Sequence, residues 1–232
     1  MKEIFQYGEK EVAYLKKVDK ALGEVIDQIG HIERAVIPDL FASLVRSIIA
    51  QQISSKAAVT IGRRLSERFK EITPETINAA SVEDIQQLGM STRKATYIKD
   101  AAREVLSGEL DIEKLHNLSD EEVCNHLTAL NGIGVWTAEM LMIFSMQRPD
   151  ILSWSDLAIH RGLRMLHKHR EIDKKRFEKY RRRYSPYNTV ASLYLWAIAG
   201  GACGLKDFAP MTVAQKKKAL EIKEKEKNQP AK

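Results

Sequence analysis

Two features of the chain carry residue types and spacing suited to chemistry. The first is the string Leu130-Asn131-Gly132-Ile133-Gly134-Val135-Trp136-Thr137-Ala138. Two glycines separated by one apolar residue make a tight turn with no Cβ in the way. Periodicity and capping signals predict helices over about 119–129 and about 135–146 on either side of it. Gly134 then opens the second helix, where unpaired backbone amides face outward and suit an anion such as a phosphate. Ile133 is expected to tuck inward, and Thr137 and Ala138 are small enough for the helices to approach closely. The same glycines also serve a plain αα-corner. The second feature is Asp156, immediately before the amphipathic stretch Leu157-Ala158-Ile159-His160-Arg161-Gly162-Leu163-Arg164. An aspartate there is an N-cap, or a carboxylate kept ionised at the mouth of a helix.

The elements that must position these residues are all helical in pattern. Period-2 alternation is missing, and the one Asn-Gly pair, Asn131-Gly132, lies between helical segments. Pro38 is placed to open a helix over Leu40–Ile49, Ser54 or Ser55 to cap the next, and Thr73-Pro74 and Ser81-Val82-Glu83-Asp84 to begin short ones. Ser119-Asp120-Glu121-Glu122 reads as a full capping box. About ten helices result, an all-α fold with two helical lobes expected, about 38–145 and the two chain ends, around a cleft. Residues 1–215 are read as the folded domain and 216–232 as a charged tail.

The 232 residues carry a net charge of +6, unevenly placed. Residues 1–160 sum to −6, 161–183 to +8, 184–215 to 0 and 216–232 to +4. An internal block this basic must lie on a domain surface and points to a polyanion, nucleic acid first. Cys124 and Cys203 are the only cysteines. Two cannot build a disulfide framework, a CxxC zinc site or an iron–sulfur cluster, and they fit a reducing compartment. No stretch approaches the ~20 apolar residues of a membrane span. A signal peptide is not expected either, so a cytoplasmic or nuclear rather than secreted protein is expected.

Taken together, the hairpin and the Asp twenty residues beyond it resemble the helix-hairpin-helix, glycine/proline-rich, aspartate superfamily of DNA glycosylases, and its 3-methyladenine DNA glycosylase II branch in particular. Further segments extend the likeness over about 35–201. Ser47-Ile48-Ile49-Ala50-Gln51-Gln52-Ile53-Ser54 resembles the early helix whose end reaches DNA. Leu88-Gly89-Met90-Ser91-Thr92-Arg93-Lys94-Ala95 resembles a Gly-x-Ser-x-x-Lys-Ala segment. Tyr184-Ser185-Pro186-Tyr187-Asn188-Thr189-Val190-Ala191, with Trp196, resembles the closing helix. The departures are Leu152-Ser153, where an apolar-Pro pair is usual, and Leu157 and Met140, where some members carry pocket aromatics.

The resemblance implies a monofunctional glycosylase that excises alkylated purines such as 3-methyladenine by hydrolysis. Asp156 is the implied catalytic carboxylate, facing an oxocarbenium-like transition state. Bifunctional members carry a Schiff-base lysine where this chain has Trp136. The target base must be flipped out and read by stacking, which singles out Trp136, Trp154, Trp196 and Tyr194, each of which also suits a core position. Gln52 and Ser54, the hairpin residues Asn131, Gly132, Ile133, Gly134 and Thr137, and the cations Arg161, Arg164 and Arg181-Arg182-Arg183 are the implied DNA contacts. Main-chain carbonyls of Thr128, Leu130 and Ile133 match positions that hold a monovalent cation, Na+ or K+, in the family. No other cofactor is implied. The implied partner is damaged duplex DNA, with no membrane and a monomeric enzyme. Two readings stay beside this one: a non-catalytic helix-hairpin-helix DNA-binding protein, and a bifunctional glycosylase/lyase. His167-x-His169 is read as surface rather than ligand.

Overall fold

A computed structural model describes residues 3–210. The charged tail at 216–232 lies outside the described residues. Thirteen helices are described: α1 Glu9–Val18, α2 Lys20–Ile29, α3 Leu40–Ala50, α4 Ser55–Arg68, α5 Pro74–Ala79, α6 Val82–Gln86, α7 Thr92–Ser107, α8 Ile112–Leu115, α9 Asp120–Ala129, α10 Val135–Phe144, α11 Leu157–His167, α12 Lys174–Tyr184 and α13 Asn188–Ala199. The only pairing of extended backbone among the described residues is one antiparallel bridge, Ile4 to Ala35. The fold is all-α, as expected. The excess over ten comes from one-turn elements such as α8, too short to leave a periodic signal. The start of α3 also differs: Asp39, not Pro38, sets it, its carboxylate accepting from the Ala42 amide at 2.8 Å.

The helices form two lobes with separate cores. One core gathers Leu40 to Ile151 from α3–α10. The other joins Phe5–Val36 to Leu152–Ile198, bringing α1 and α2 against α11–α13. The chain crosses between lobes twice. At the first crossing the Ile37 amide donates to the Phe144 carbonyl at 2.8 Å. At the second, Ile151 belongs to one core and its neighbour Leu152 to the other. This crossing is clamped by buried polar groups at the start of α13. Thr189 Oγ1 donates to the Arg148 carbonyl at 2.6 Å and accepts from the Ile151 amide at 3.0 Å. Ser192 Oγ donates to the Ile151 carbonyl at 3.0 Å, and Asn188 Nδ2 to Asp150 Oδ1 at 2.6 Å. Each bond satisfies a group that burial would otherwise penalise, and together they fix the segment that leads to Asp156.

Candidate active site

The hairpin is built from its ends inward. Ser119 and Glu122 close a capping box at the start of α9, and the helix stops at Leu130. Gly132 follows with φ 84°, a left-handed conformation that favours glycine, and a Cβ there would run into the Tyr97 ring. Gly134 is the extended N-cap of α10. One side chain ties this turn to the end of α3, and a second ties α7 to the same helix end. Gln51 Nε2 donates to the Gly132 carbonyl at 2.8 Å. The Lys94 ammonium donates to the carbonyls of Ile49, at 2.8 Å, and Gln51, a cation at the negative end of a helix. Burial pushes its pKa down. The end of α3, the start of α7 and the hairpin therefore form one surface, with exposed Gln52 at φ 55° on it.

Asp156 caps α11 from a buried position, 7% exposed. Its Oδ1 accepts from the amides of Ala158 at 2.8 Å and Ile159 at 3.0 Å. Its Oδ2 accepts from the indole Nε1 of Trp136 at 3.0 Å. The two features singled out in the sequence are thus in direct contact across twenty residues. Trp136, 46% exposed, stands in the first turn of α10. One turn along α10, Glu139 accepts a hydrogen bond from Ser153 Oγ. Burial pushes the Glu139 carboxyl up, as does Asp156, against the Ser153 bond and the cations Lys174 and Arg181. Met140 and Phe144 follow Trp136 at four and eight residues and line a cavity of about 500 Å3 between the lobes, with Arg34, Ser47 and Ala50 opposite. That size lies within the usual range of ligand pockets. The Arg34 guanidinium sits 5.0 Å from the Phe144 ring centre.

The other expected residues divide. Trp196 reaches both cores and stacks on Phe144 with ring centres 5.7 Å apart, at the junction of the lobes. Tyr194 does not belong with it. Its ring is fully buried in the second core and its hydroxyl donates to the Gly30 carbonyl at 3.0 Å, so no base can stack on it. Trp154 packs edge-on to His160 and Phe177, and the Lys174 ammonium covers its ring at 4.6 Å; its face is already engaged. Arg164 is not a free cation either, since Nε and Nη2 donate to the two oxygens of Asp207 at 3.1 and 3.0 Å. Arg161 lies 3.5 Å from the same carboxylate but keeps half its side chain exposed. Arg181 pairs with Glu178 and Arg183 with Asp19. Ser54 caps α4 through the Ala57 amide at 3.2 Å and is exposed, as is Asn131; Ile133 and Thr137 are buried behind the hairpin surface. His167 is mostly buried rather than on the surface, bonded to Tyr184 at 3.0 Å. Among the described residues no three His, Cys, Asp or Glu side chains gather as a metal site.

Residues 45–186 match the family described as HhH-GPD superfamily base excision DNA repair protein. The chain belongs to this family. The HhH-GPD match covers the hairpin, Trp136 and Asp156 alike. Among curated relatives, DNA-3-methyladenine glycosylase 1 of Schizosaccharomyces pombe is 37% identical over 161 residues, 67% of this chain and 71% of that protein. DNA-3-methyladenine glycosylase of Saccharomyces cerevisiae is 30% identical over 200 residues, 70% of this chain and 68% of that protein. Among solved structures, the DNA-3-methyladenine glycosidase of Bacillus halodurans superposes with a TM-score of 0.79 at 37% identity, over 89% of this chain and 96% of that one. No helix of the described residues is long and apolar enough to cross a membrane.

Lys94, Gln51, Glu139 and the Asn188-Thr189-Ser192 clamp were not singled out for these positions. A signal existed for the clamp and for Glu139: each is a polar residue inside an otherwise apolar helix.

Proposed function

We propose that this protein is a monofunctional DNA glycosylase that releases alkylated purines such as 3-methyladenine from duplex DNA, as the first step of base excision repair. The observation that carries this reading is the hydrogen bond from the half-exposed Trp136 to a buried Asp156. Cleavage breaks the C1′–N bond, and its electron pair leaves with the base. Positive charge builds on the sugar, and the fixed carboxylate of Asp156 stabilises it. Water supplies the oxygen that bonds to C1′ and passes its proton to the solvent, while the departing electron pair neutralises the cationic base. An alkylated purine already carries positive charge, so it leaves without a strong general acid. Trp136 offers no amine, so no Schiff base forms there and the strand is left intact.

The flipped base enters the cavity lined by Met140 and Phe144, with Trp136 and Trp196 as stacking surfaces and cation–π energy favouring an electron-poor ring. Gln52 fills the gap in the duplex. Ser54, Asn131, Gly132, Gly134 and the α10 amides take the phosphates, with Arg161 at the edge. The carbonyls of Thr128 and Ile133 accept no backbone hydrogen bond among the described residues, whereas Leu130 accepts from the Ile133 amide at 3.2 Å. Uncharged carbonyl oxygens of this kind suit a Na+ or K+ ion, which would stiffen the hairpin against a phosphate. The enzyme acts as a monomer wherever the cell keeps its DNA, and residues 1–215 form its working domain.

The test is free-base release from methylated duplex DNA, run beside Asp156→Asn. The native protein is expected to release 3-methyladenine, and the variant to bind the duplex with base release reduced at least ~100-fold. Borohydride is expected to trap no protein–DNA adduct. Undiminished duplex binding with no release of any alkylated base would favour a binding module. A trapped adduct would favour a lyase.

A further inference from the structure

Asp156 is held by its two oxygens, but the loop that carries it needs a separate anchor. Ser153 supplies one. It is buried, its carbonyl faces the Asp156 amide at 3.4 Å, and its hydroxyl donates to Glu139. Two contacts therefore join α10 to the loop in matching register: Trp136 to Asp156, and one helical turn on, Glu139 to Ser153. A side chain at position 153 without a hydroxyl, including the proline usual in the resembled family, would leave Glu139 without this donor. Glu139 lies in a crevice with Cys124 on α9, and the cations Lys174 and Arg181 on α12 face it from the other lobe. The carboxylate thus stands where the two lobes meet, under the catalytic loop.

We propose that Glu139 is a positioning residue for base excision, fixing through Ser153 how far the Asp156 loop reaches toward the cleft. The inference rests on the catalytic reading of Asp156. Without the Glu139–Ser153 bond the loop keeps its α13 clamp on one side but loses one of its two ties to α10, leaving only Trp136 to Asp156. Asp156 then shifts relative to the sugar, and a displacement of about 1 Å can cost up to ~100-fold in rate. The proposed phosphate contacts are Ser54, the hairpin with the α10 amides, and Arg161, and neither Glu139 nor Ser153 is among them, so duplex affinity is not touched.

The experiment uses the full chain and four variants: Glu139→Ala, Ser153→Ala, the double variant, and Glu139→Gln. Two readouts are taken, the single-turnover rate of 3-methyladenine release and the Kd for a duplex with an abasic-site analogue. Each alanine variant is expected to lose about tenfold in rate with Kd unchanged within about twofold. The double variant should be no slower than the worse single one, because both remove the same bond. Glu139→Gln should recover most of the rate, since its amide oxygen accepts the same hydroxyl proton. Ser153→Ala removes one oxygen and guards against a folding defect in Glu139→Ala. A native rate in either alanine variant, multiplying losses in the double, or a glutamine variant as slow as alanine would each overturn the proposal while leaving the glycosylase reading intact. An unaltered protein that releases no alkylated base would overturn both.

Discussion

Trp136 has two parts that can be tested apart: a half-exposed ring and an indole N–H that holds Asp156 Oδ2. Trp136→Phe keeps an aromatic face for the flipped base and removes the donor. A hydrogen bond to a charged group contributes on the order of 1.5–3 kcal/mol, and here the carboxylate is buried, so no bulk water replaces it freely. Single-turnover base release should fall about ten- to a hundredfold, with abasic-duplex affinity nearly preserved. Trp136→Leu should lose rate and affinity together. Equal behaviour of the phenylalanine variant and the native protein would mean that the bond plays no part in the reaction. At this scale the sequence exposes a residue when its type is unusual for its place. An Asp at a helix mouth and a Trp after a glycine turn stand out. It hides a residue when the deciding neighbour is remote. Arg164 reads as a phosphate contact until Asp207, forty-three residues on, is seen to accept from its Nε and Nη2. Tyr194 sits in a helix that is apolar on every side, so no periodicity tells which side faces the cleft.

Helix ends were the most legible elements, because a cap is decided by residues three apart. Thr73-Pro74, Ser81, Ser119 and Asp156 all cap where their local sequences place them. Which helices touch, and how closely, is a different question, and glycine answers it at one point. A Cβ on Gly162 of α11 would strike the main-chain carbonyl of Leu195 in α13. The obstacle is backbone, so it cannot rotate away. In the sequence Gly162 looks only like a weak spot in a helix; its use is to let α11 and α13 pack nearly backbone to backbone. Gly162→Ala should cost about 2–3 kcal/mol through overpacking, despite alanine's better helix propensity. For a protein of this size that lowers Tm by about 4–12 °C in calorimetry. An unchanged or raised Tm would show that the two helices can separate without cost. Because α11 carries Asp156 and α13 clamps the loop before it, base release should fall as well, even below the lowered Tm.

On the scale of the whole molecule, three elements of the second lobe are joined by one buried polar cluster. Asp19 caps α2, accepting from the Leu22 amide, and also accepts from Arg183 at 2.8 Å and from the Tyr184 hydroxyl at 3.0 Å on α12. His167, at the end of α11, lies 3.3 Å from the same carboxylate and is 12% exposed. Burial drives the His167 pKa from 6.5 to about 4; Asp19 pulls it upward, but Arg183, His169 and Lys179 oppose that pull. The contact with Asp19 is therefore made by a neutral imidazole at pH 7. The sign of the pH dependence follows. Between pH 6.5 and 4 the unfolded chain takes up a proton at His167 that the folded one refuses, so stability is complete above 6.5 and drains away below it. At pH 4.5 the loss is on the order of 2–3 kcal/mol relative to pH 7.5. Asp19, raised by burial but held below its ordinary value by the Arg183 bond, adds a loss of the same sign at still lower pH. Glu139, Asp120 and Glu104, pushed up by burial, work the other way, so the native protein alone does not isolate the histidine. The comparison that does is His167→Gln, neutral at every pH. Urea unfolding at pH 7.5 and 4.5 should show the native protein losing on the order of 2–3 kcal/mol more than the variant over that interval. Parallel losses in the two proteins would mean that His167 charges readily in place and that the cluster does not exclude its proton.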